Sequence, residues 1–199
     1  MEHFNKQLFL AINAGASPPA FVLASARVLA DWLVPAAVLL FIVLWVRRSV
    51  SERGALLTTT LMALSALGIN QALGLLYFSP RPFMVGLGHQ YLSHAPDNSF
   101  PSDHATFLWT LGFTLLALAR LRGWGILLVL AGVAVSWARI YVGVHFPLDM
   151  LGSLAVSICI ASLARSASKP VLAWLFPRCN ALYVRLIDVL RLPRTIFPR

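Results

Sequence analysis

Apolar runs of bilayer length constrain this chain more than any other feature. A hydrocarbon core of about 30 Å takes roughly 20 helical residues at about 1.5 Å rise each. About five stretches qualify, near 28–46, 55–78, 105–121, 124–141 and 148–165. They predict an all-α fold, a polytopic membrane helical bundle of about five to six transmembrane helices with interfacial terminal helices. Of the 199 residues, 59% are hydrophobic and 12% charged, which is more apolar surface than a soluble domain of this length can hide. One domain over 1–199 is expected, with a motif-bearing core at 55–165 and a basic amphipathic C-terminal segment at 166–199. No repeat or low-complexity tract interrupts it.

The net charge of +9 would suggest nucleic acid in a soluble protein. Here the charges sit between apolar runs, so they read as topological and no nucleic-acid partner is expected. Arg47, Arg48 and Arg53 fill the first loop, Arg120 and Arg122 the third, and further basic residues follow from Arg165 to Arg199. Lys and Arg stay on the cytoplasmic side. The 79–104 loop, the 141–148 turn and the N-terminus therefore face outward. Segment 3–14 is too short and polar to cross, and reads either as an interfacial helix or as a frayed tail. The C-terminal segment reads either as a helix on anionic lipid or as a solvated basic tail. No cleavable leader is recognisable at the N-terminus, so the first helices are expected to be retained. Cys159 and Cys179 offer no disulfide framework.

Ionisable residues near the spans call for an explanation, because charge at membrane depth is costly. Three groups qualify: Arg81-Pro82 after the second span, Pro101-Ser102-Asp103-His104 before the third, and Arg139, His145 and Asp149 around the fourth-to-fifth turn. All fall at outer helix ends, which predicts one site. Arginine forks suit phosphate oxygens. Ser102 stands at an expected N-cap, where its hydroxyl and the amides of Asp103 and His104 can meet an anion. His145 and Asp149 are four apart, with Pro147 as a first-turn residue, so the carboxylate can fix one imidazole nitrogen and leave the other to attack phosphorus. His104 remains as proton donor.

These blocks, GLLYFSPRP (74–82), PSDH (101–104) and ARIYVGVHFPLD (138–149), resemble the type-2 phosphatidate phosphatase superfamily, whose pattern is Lys-x6-Arg-Pro, Pro-Ser-Gly-His and Ser-Arg-x5-His-x3-Asp. The resemblance implies His145 as nucleophile, Asp149 as its partner, His104 as general acid, and Arg81, Ser102, Asp103 and Arg139 at the substrate, with neither metal nor other cofactor. Gly74 stands where the family has lysine, Asp103 where it has glycine, and Ala138 where it has serine. The stretch PRPFMVGLGHQYLSHAPDNSFPSDHAT looks like the bacitracin-resistance branch, the undecaprenyl pyrophosphate phosphatases. That branch implies a polyprenyl pyrophosphate at the outer leaflet of a bacterial inner membrane, cleaved to monophosphate and phosphate so that the wall-synthesis carrier is recycled.

The same residues would serve a phosphatase of phosphatidate or phosphatidylglycerol phosphate. A transporter would use intramembrane charges as an ion path, but here they gather at one face. Vanadium-dependent haloperoxidases hold vanadate with similar residues but are soluble. Arg27 and Asp31 are expected to form a helical ion pair, with Arg27 the nearest substitute for the missing lysine. His89 and His94 are within the outer loop, either solvated or touching the distal phosphate. Trp32, Trp45, Trp124 and Trp137 read as interface anchors.

Overall fold

The structure, a computed structural model, describes residues 2–193 and Phe197. Of the basic residues expected toward the C-terminus, Arg194 and Arg199 lie outside the described residues. The elements are α1 (Glu2–Ile12), α2 (Ala20–Arg47), α3 (Val50–Leu76), α4 (Asp103–Ala117), α5 (Arg122–Tyr141), α6 (Pro147–Ser162), α7 (Ala164–Pro170) and α8 (Phe176–Val189). A 3-10 turn spans Pro82–Val85, and a π-helical turn joins α7 to α8.

The starts of these helices follow local chemistry. Pro18-Pro19 cannot continue a helix backwards, so α2 begins at Ala20 and takes in Arg27 and Asp31. At Ser49 the side chain of Glu52 accepts from the Ser49 amide at 3.1 Å and from its hydroxyl at 2.7 Å, which starts α3 five residues before the apolar run. Left-handed Ala119 and Leu121, both at φ 53°, turn the chain between α4 and α5.

Polarity is inverted relative to a water-soluble protein. Leu39, Ile42, Val43, Ile126, Leu130 and Val133 face outward, whereas Thr58, Asn70, Thr106, Thr110, Ser153 and Ser157 are buried. That distribution belongs to a solvent of lipid. Helices α2, α3 and α5 are each long and apolar enough to cross, and a fourth span results if α6 and the following helical segment, bent by 49°, are taken together. Two expected spans are thus shorter than a bilayer helix: α4 has 15 residues and α6 has 16. They need not match the lipid alone, because α4 is packed among α3, α5 and α6 at the middle of the bundle.

Small residues allow this close approach. A Cβ on Gly112 would stand 2.9 Å from the Gly125 carbonyl of α5. On the other side, Ser153 donates to the Ser102 carbonyl at 2.9 Å, Ser157 to the Thr106 carbonyl at 3.1 Å, and Thr110 to Ser157 at 3.1 Å. This hydroxyl ladder sets the register of α4 against α6.

Segment 3–14 is a docked helix and no frayed tail. Phe9 of α1 is fully buried edge-on against Phe146 at 5.3 Å, and Asn5 accepts from the Leu148 amide at 3.0 Å. At about 1.5 Å per residue its 11 residues cannot cross a bilayer. Helix α8 docks at the opposite end, where Trp45 packs edge-on against Phe176 and Tyr183 and the guanidinium of Arg53 lies 4.4 Å over the Tyr183 ring.

Candidate functional site

The end of α3, the start of α4, the end of α5 and the start of α6 come together at one end of the bundle, and the 77–102 loop folds over them. A cavity of about 440 Å³ opens there, lined by Arg81, His94, Asp97, Asn98, Asp103, His104, Arg139 and His145 together with Asn70, Gln71 and Gly74 of α3. The three sequence blocks meet, as their common place at one set of helix ends predicts.

Gly143, at φ +85°, makes the turn before His145. A Cβ there would strike the carbonyl of His89, so glycine is required both by conformation and by space. The turn buries His145 and starts α6 at Pro147, which carries Asp149 back to the imidazole. Asp149 Oδ2 lies 3.1 Å from His145 Nδ1 and accepts from the Phe146 amide at 2.8 Å and the Ser99 hydroxyl at 2.5 Å. On the other ring nitrogen, Arg81 Nη1 approaches Nε2 at 3.1 Å. Arginine cannot accept a proton, so Nε2 carries the lone pair and Nδ1 the hydrogen, donated to Asp149. Burial first, then the charges of Arg139 and Arg81, hold the His145 imidazole well below the usual histidine range.

Arg81 has all three of its side-chain nitrogens engaged. Besides His145 it donates to the Val144 carbonyl at 2.8 Å, the Asn98 carbonyl at 3.0 Å and the Asp97 carboxylate at 2.8 Å. Burial alone would raise the Asp97 pKa, but the Arg81 hydrogen bond and charge outweigh it and hold the carboxylate below its usual range. Arg139 differs. It is 2% exposed, and among the described residues its Nη1 makes one 3.4 Å contact to the Ala30 carbonyl while its Nε and Nη2 have no partner. The buried Ser102 hydroxyl likewise has none among the described residues. Unmet donors this deeply buried are costly unless something fills them.

Asp103 has its side chain turned to α3, where Oδ1 accepts from Asn70 at 2.8 Å and Oδ2 from Gln71 at 3.0 Å. An acceptor-only carboxylate tied in this way offers an anion nothing but its backbone amide. His104 lines the cavity and has no hydrogen bond among the described residues. A Cβ on Gly74 would stand 2.9 Å from the Asn98 side-chain nitrogen, so the family lysine would have to shift the Asn98 side chain to enter the cavity.

Several side chains depart from expectation. The expected Arg27–Asp31 ion pair is absent among the described residues. Arg27 Nε instead donates to the Tyr91 carbonyl at 2.8 Å, because the outer loop folds onto α2, and Arg27 does not line the cavity. His89 is turned away, its amide and carbonyl held by Asn13. His94 does line the cavity, 6.4 Å from the His145 ring. Ser99, Asp97, Asn98, Asn70 and Gln71 were not singled out by sequence. For Ser99 and Asp97 the only signal was a polar cluster just before the second block. Among the described residues no group of three or more His, Cys, Asp or Glu side chains could hold a metal ion.

The fold and the cleft define a helical membrane protein that combines a His–Asp pair with two arginines at one end of its bundle. The chain belongs to the PAP2 superfamily, whose pattern matches residues 54–171. It is 36% identical over 160 residues to Undecaprenyl-diphosphatase BcrC of Bacillus subtilis (strain 168), covering 80% of this chain and 81% of that protein. It is also 36% identical over 154 residues to YbjG of Escherichia coli (strain K12), covering 77% of each. The crystal structure of Aquifex aeolicus LpxE shares the fold, with a TM-score of 0.62 at 21% identity over 80% of this chain and 93% of that one.

Proposed function

We propose that this protein hydrolyses undecaprenyl pyrophosphate to undecaprenyl phosphate and inorganic phosphate through a phosphohistidine on His145. The observation that carries the reading is the pair of buried Arg139 donors, unmet among the described residues, in the same cavity wall as a His–Asp pair of defined tautomer, with the unmet Ser102 hydroxyl at the start of α4. A phosphate supplies the acceptors they lack. The name of the Bacillus subtilis relative supports the lipid class. A cavity of about 440 Å³ takes a pyrophosphate head group and leaves the polyprenyl chain in the surrounding lipid.

In this scheme the terminal phosphate binds Arg139, Ser102 and the α4 N-terminal amides of Asp103 and His104, and draws Arg81 Nη1 off His145 Nε2. The Nε2 lone pair then attacks the terminal phosphorus. The bond from that phosphorus to the bridging oxygen breaks, its electron pair leaves with the lipid monophosphate, and His104 gives that oxygen a proton. Asp149 stabilises the imidazolium-like intermediate through Nδ1–H. Water then attacks the phosphohistidine, His104 in neutral form takes its proton, and the P–N electrons return to Nε2 as phosphate departs.

The protein sits in the bacterial cytoplasmic membrane with this cleft outward. Arg47, Arg48, Arg120, Arg122 and Arg165, at the opposite helix ends, support that orientation.

The deciding experiment follows phosphate release from undecaprenyl pyrophosphate and from phosphatidate, with EDTA present, for the native protein and His145→Ala. EDTA-resistant release from the pyrophosphate that is lost in the variant is the expected result. Equal activity in the variant removes His145 as nucleophile, and preference for phosphatidate replaces the substrate.

A further inference from the structure

Asp97 has no part in the scheme above, yet it holds the arginine nearest the nucleophile. Its Oδ1 lies 2.8 Å from Arg81 Nε, and the side chains are 59% and 6% exposed, so a carboxylate open to the cavity caps a cation buried in its wall. Arg81 does not need Asp97 to keep its place, because the carbonyls of Val144 and Asn98 already bind both terminal nitrogens. The backbone beside Asp97 is fixed as well. Asn98 Oδ1 accepts from the Ser79 amide at 2.6 Å, and the Ser99 amide donates to the Ser79 carbonyl at 2.8 Å. The exposed Asp97 side chain is held by the Arg81 Nε bond and by His94 Nδ1, which stands 3.7 Å from the same oxygen.

We propose that Asp97 is an internal stand-in for substrate phosphate: its carboxylate occupies Arg81 between turnovers, is displaced by the incoming phosphate, and returns to help expel the product phosphate. This deepens the reading above and rests on it. A carboxylate and a phosphate oxygen compete for the same guanidinium donors. The competition weighs more in this chain because Gly74, which lines the cavity beside Asn98, puts no cation at that position. Asp97 is thus a positioning residue that sets phosphate affinity and release, with no bond of its own to the reacting atoms.

The test is Asp97→Asn in the purified full-length protein, with Asp97→Ala as a second variant and inorganic phosphate as the probe. Phosphate is read twice, as a product inhibitor of undecaprenyl pyrophosphate hydrolysis and by the shift in Tm it produces without substrate. The expected result is an inhibition constant about tenfold lower in both variants, a larger phosphate-induced Tm shift, and a lower kcat with a lower KM. Asp97→Glu, which keeps the charge, is expected to stay near the native values. A purely structural role would lower the phosphate-free Tm and leave the phosphate constants alone, and that outcome overturns the proposal. So does weaker phosphate binding in the variants, which would make Asp97 an aid to the anion site. If phosphate shifts the Tm of neither native protein nor variant, the anion site itself falls and this proposal with it.

Discussion

Arg81 Nη1 and His145 Nε2 stand 3.1 Å apart, so the nitrogen proposed to attack phosphorus is covered by the cation expected to greet the phosphate. The contact assigns the tautomer, and the 3.1 Å approach of Asp149 to Nδ1 completes it. Asp149→Asn preserves an oxygen for the Phe146 amide and the Ser99 hydroxyl but removes the charge that stabilises the cationic imidazole. We expect kcat to fall about 10³-fold with Tm within a few degrees of native, measured by phosphate release and thermal unfolding in one detergent. A kcat within threefold of native would detach Asp149 from the chemistry.

The pH dependence of stability follows from His145. Its folded-state pKa is lowered, mainly by burial, so the native protein keeps the ring neutral where the unfolded chain takes up a proton. Stability is therefore fully present above about pH 6.5 and is lost as pH falls below it. Between pH 7.5 and pH 5 the native protein should lose more Tm than His145→Gln does. Parallel losses in the two proteins would contradict the burial argument.

Gly74 and Asn98 should behave as a unit. Gly74→Lys alone meets the Asn98 side chain and displaces it from the Ser79 amide and the Phe100 carbonyl, so kcat/KM is expected to fall about tenfold. With Asn98→Ala added, the lysine gains room, and the double variant should be more active than Gly74→Lys alone. Strict additivity in this double-mutant cycle would count against the contact.

Helix α1 is expected to matter to the turn it covers. Phe9→Ala empties a fully buried position against Phe146, the residue that follows His145. A loss of about 3 kcal/mol is the ordinary cost, read from chemical denaturation. The kcat should drop more than KM rises, because the turn loosens while the arginines stay in place.

The hydroxyl ladder gives a graded test. Ser153→Ala and Ser157→Ala should each cost about 0.6 kcal/mol, near the average for interhelical hydrogen bonds in membranes. Ser153→Val, which pushes α6 away from Ser102, should also reduce kcat. Full activity in Ser153→Val would show that this register is not critical.

Much of the site was legible because it lies in regular structure. His145 and Asp149 meet through a one-turn spacing that any helix start imposes, and Pro147 marks that start. The i, i+4 runs Ser102, Thr106, Thr110 and Asp149, Ser153, Ser157 are equally readable as facing stripes, although the length of the apolar runs alone does not point to them. Asp97, Asn98 and Ser99 were not legible in the same way. They lie in an extended loop whose contacts depend on where Ser79, Arg81 and Asp149 end up in space, and no local period encodes that. Arg27 was misread for the same reason, since a helical neighbour is visible in sequence and the Tyr91 carbonyl is not. The helix starts shifted where a cap or proline, rather than hydropathy, decided them.

The hydroxyl-lined α4 also has a consequence for how the protein is made. A 15-residue helix with Thr106 and Thr110 on one edge and Asp103-His104 at its tip is a poor candidate to enter the bilayer by itself. The Ser102 and Thr106 carbonyls gain their hydroxyl donors only when α6 emerges from the ribosome and presents Ser153 and Ser157. Biogenesis is thereby coupled to completion of the cleft. A nascent chain halted before Pro147 would hold α4 against α3 and α5 but leave its α6 edge open, and that half-made product is what membrane quality control would be expected to recognise first.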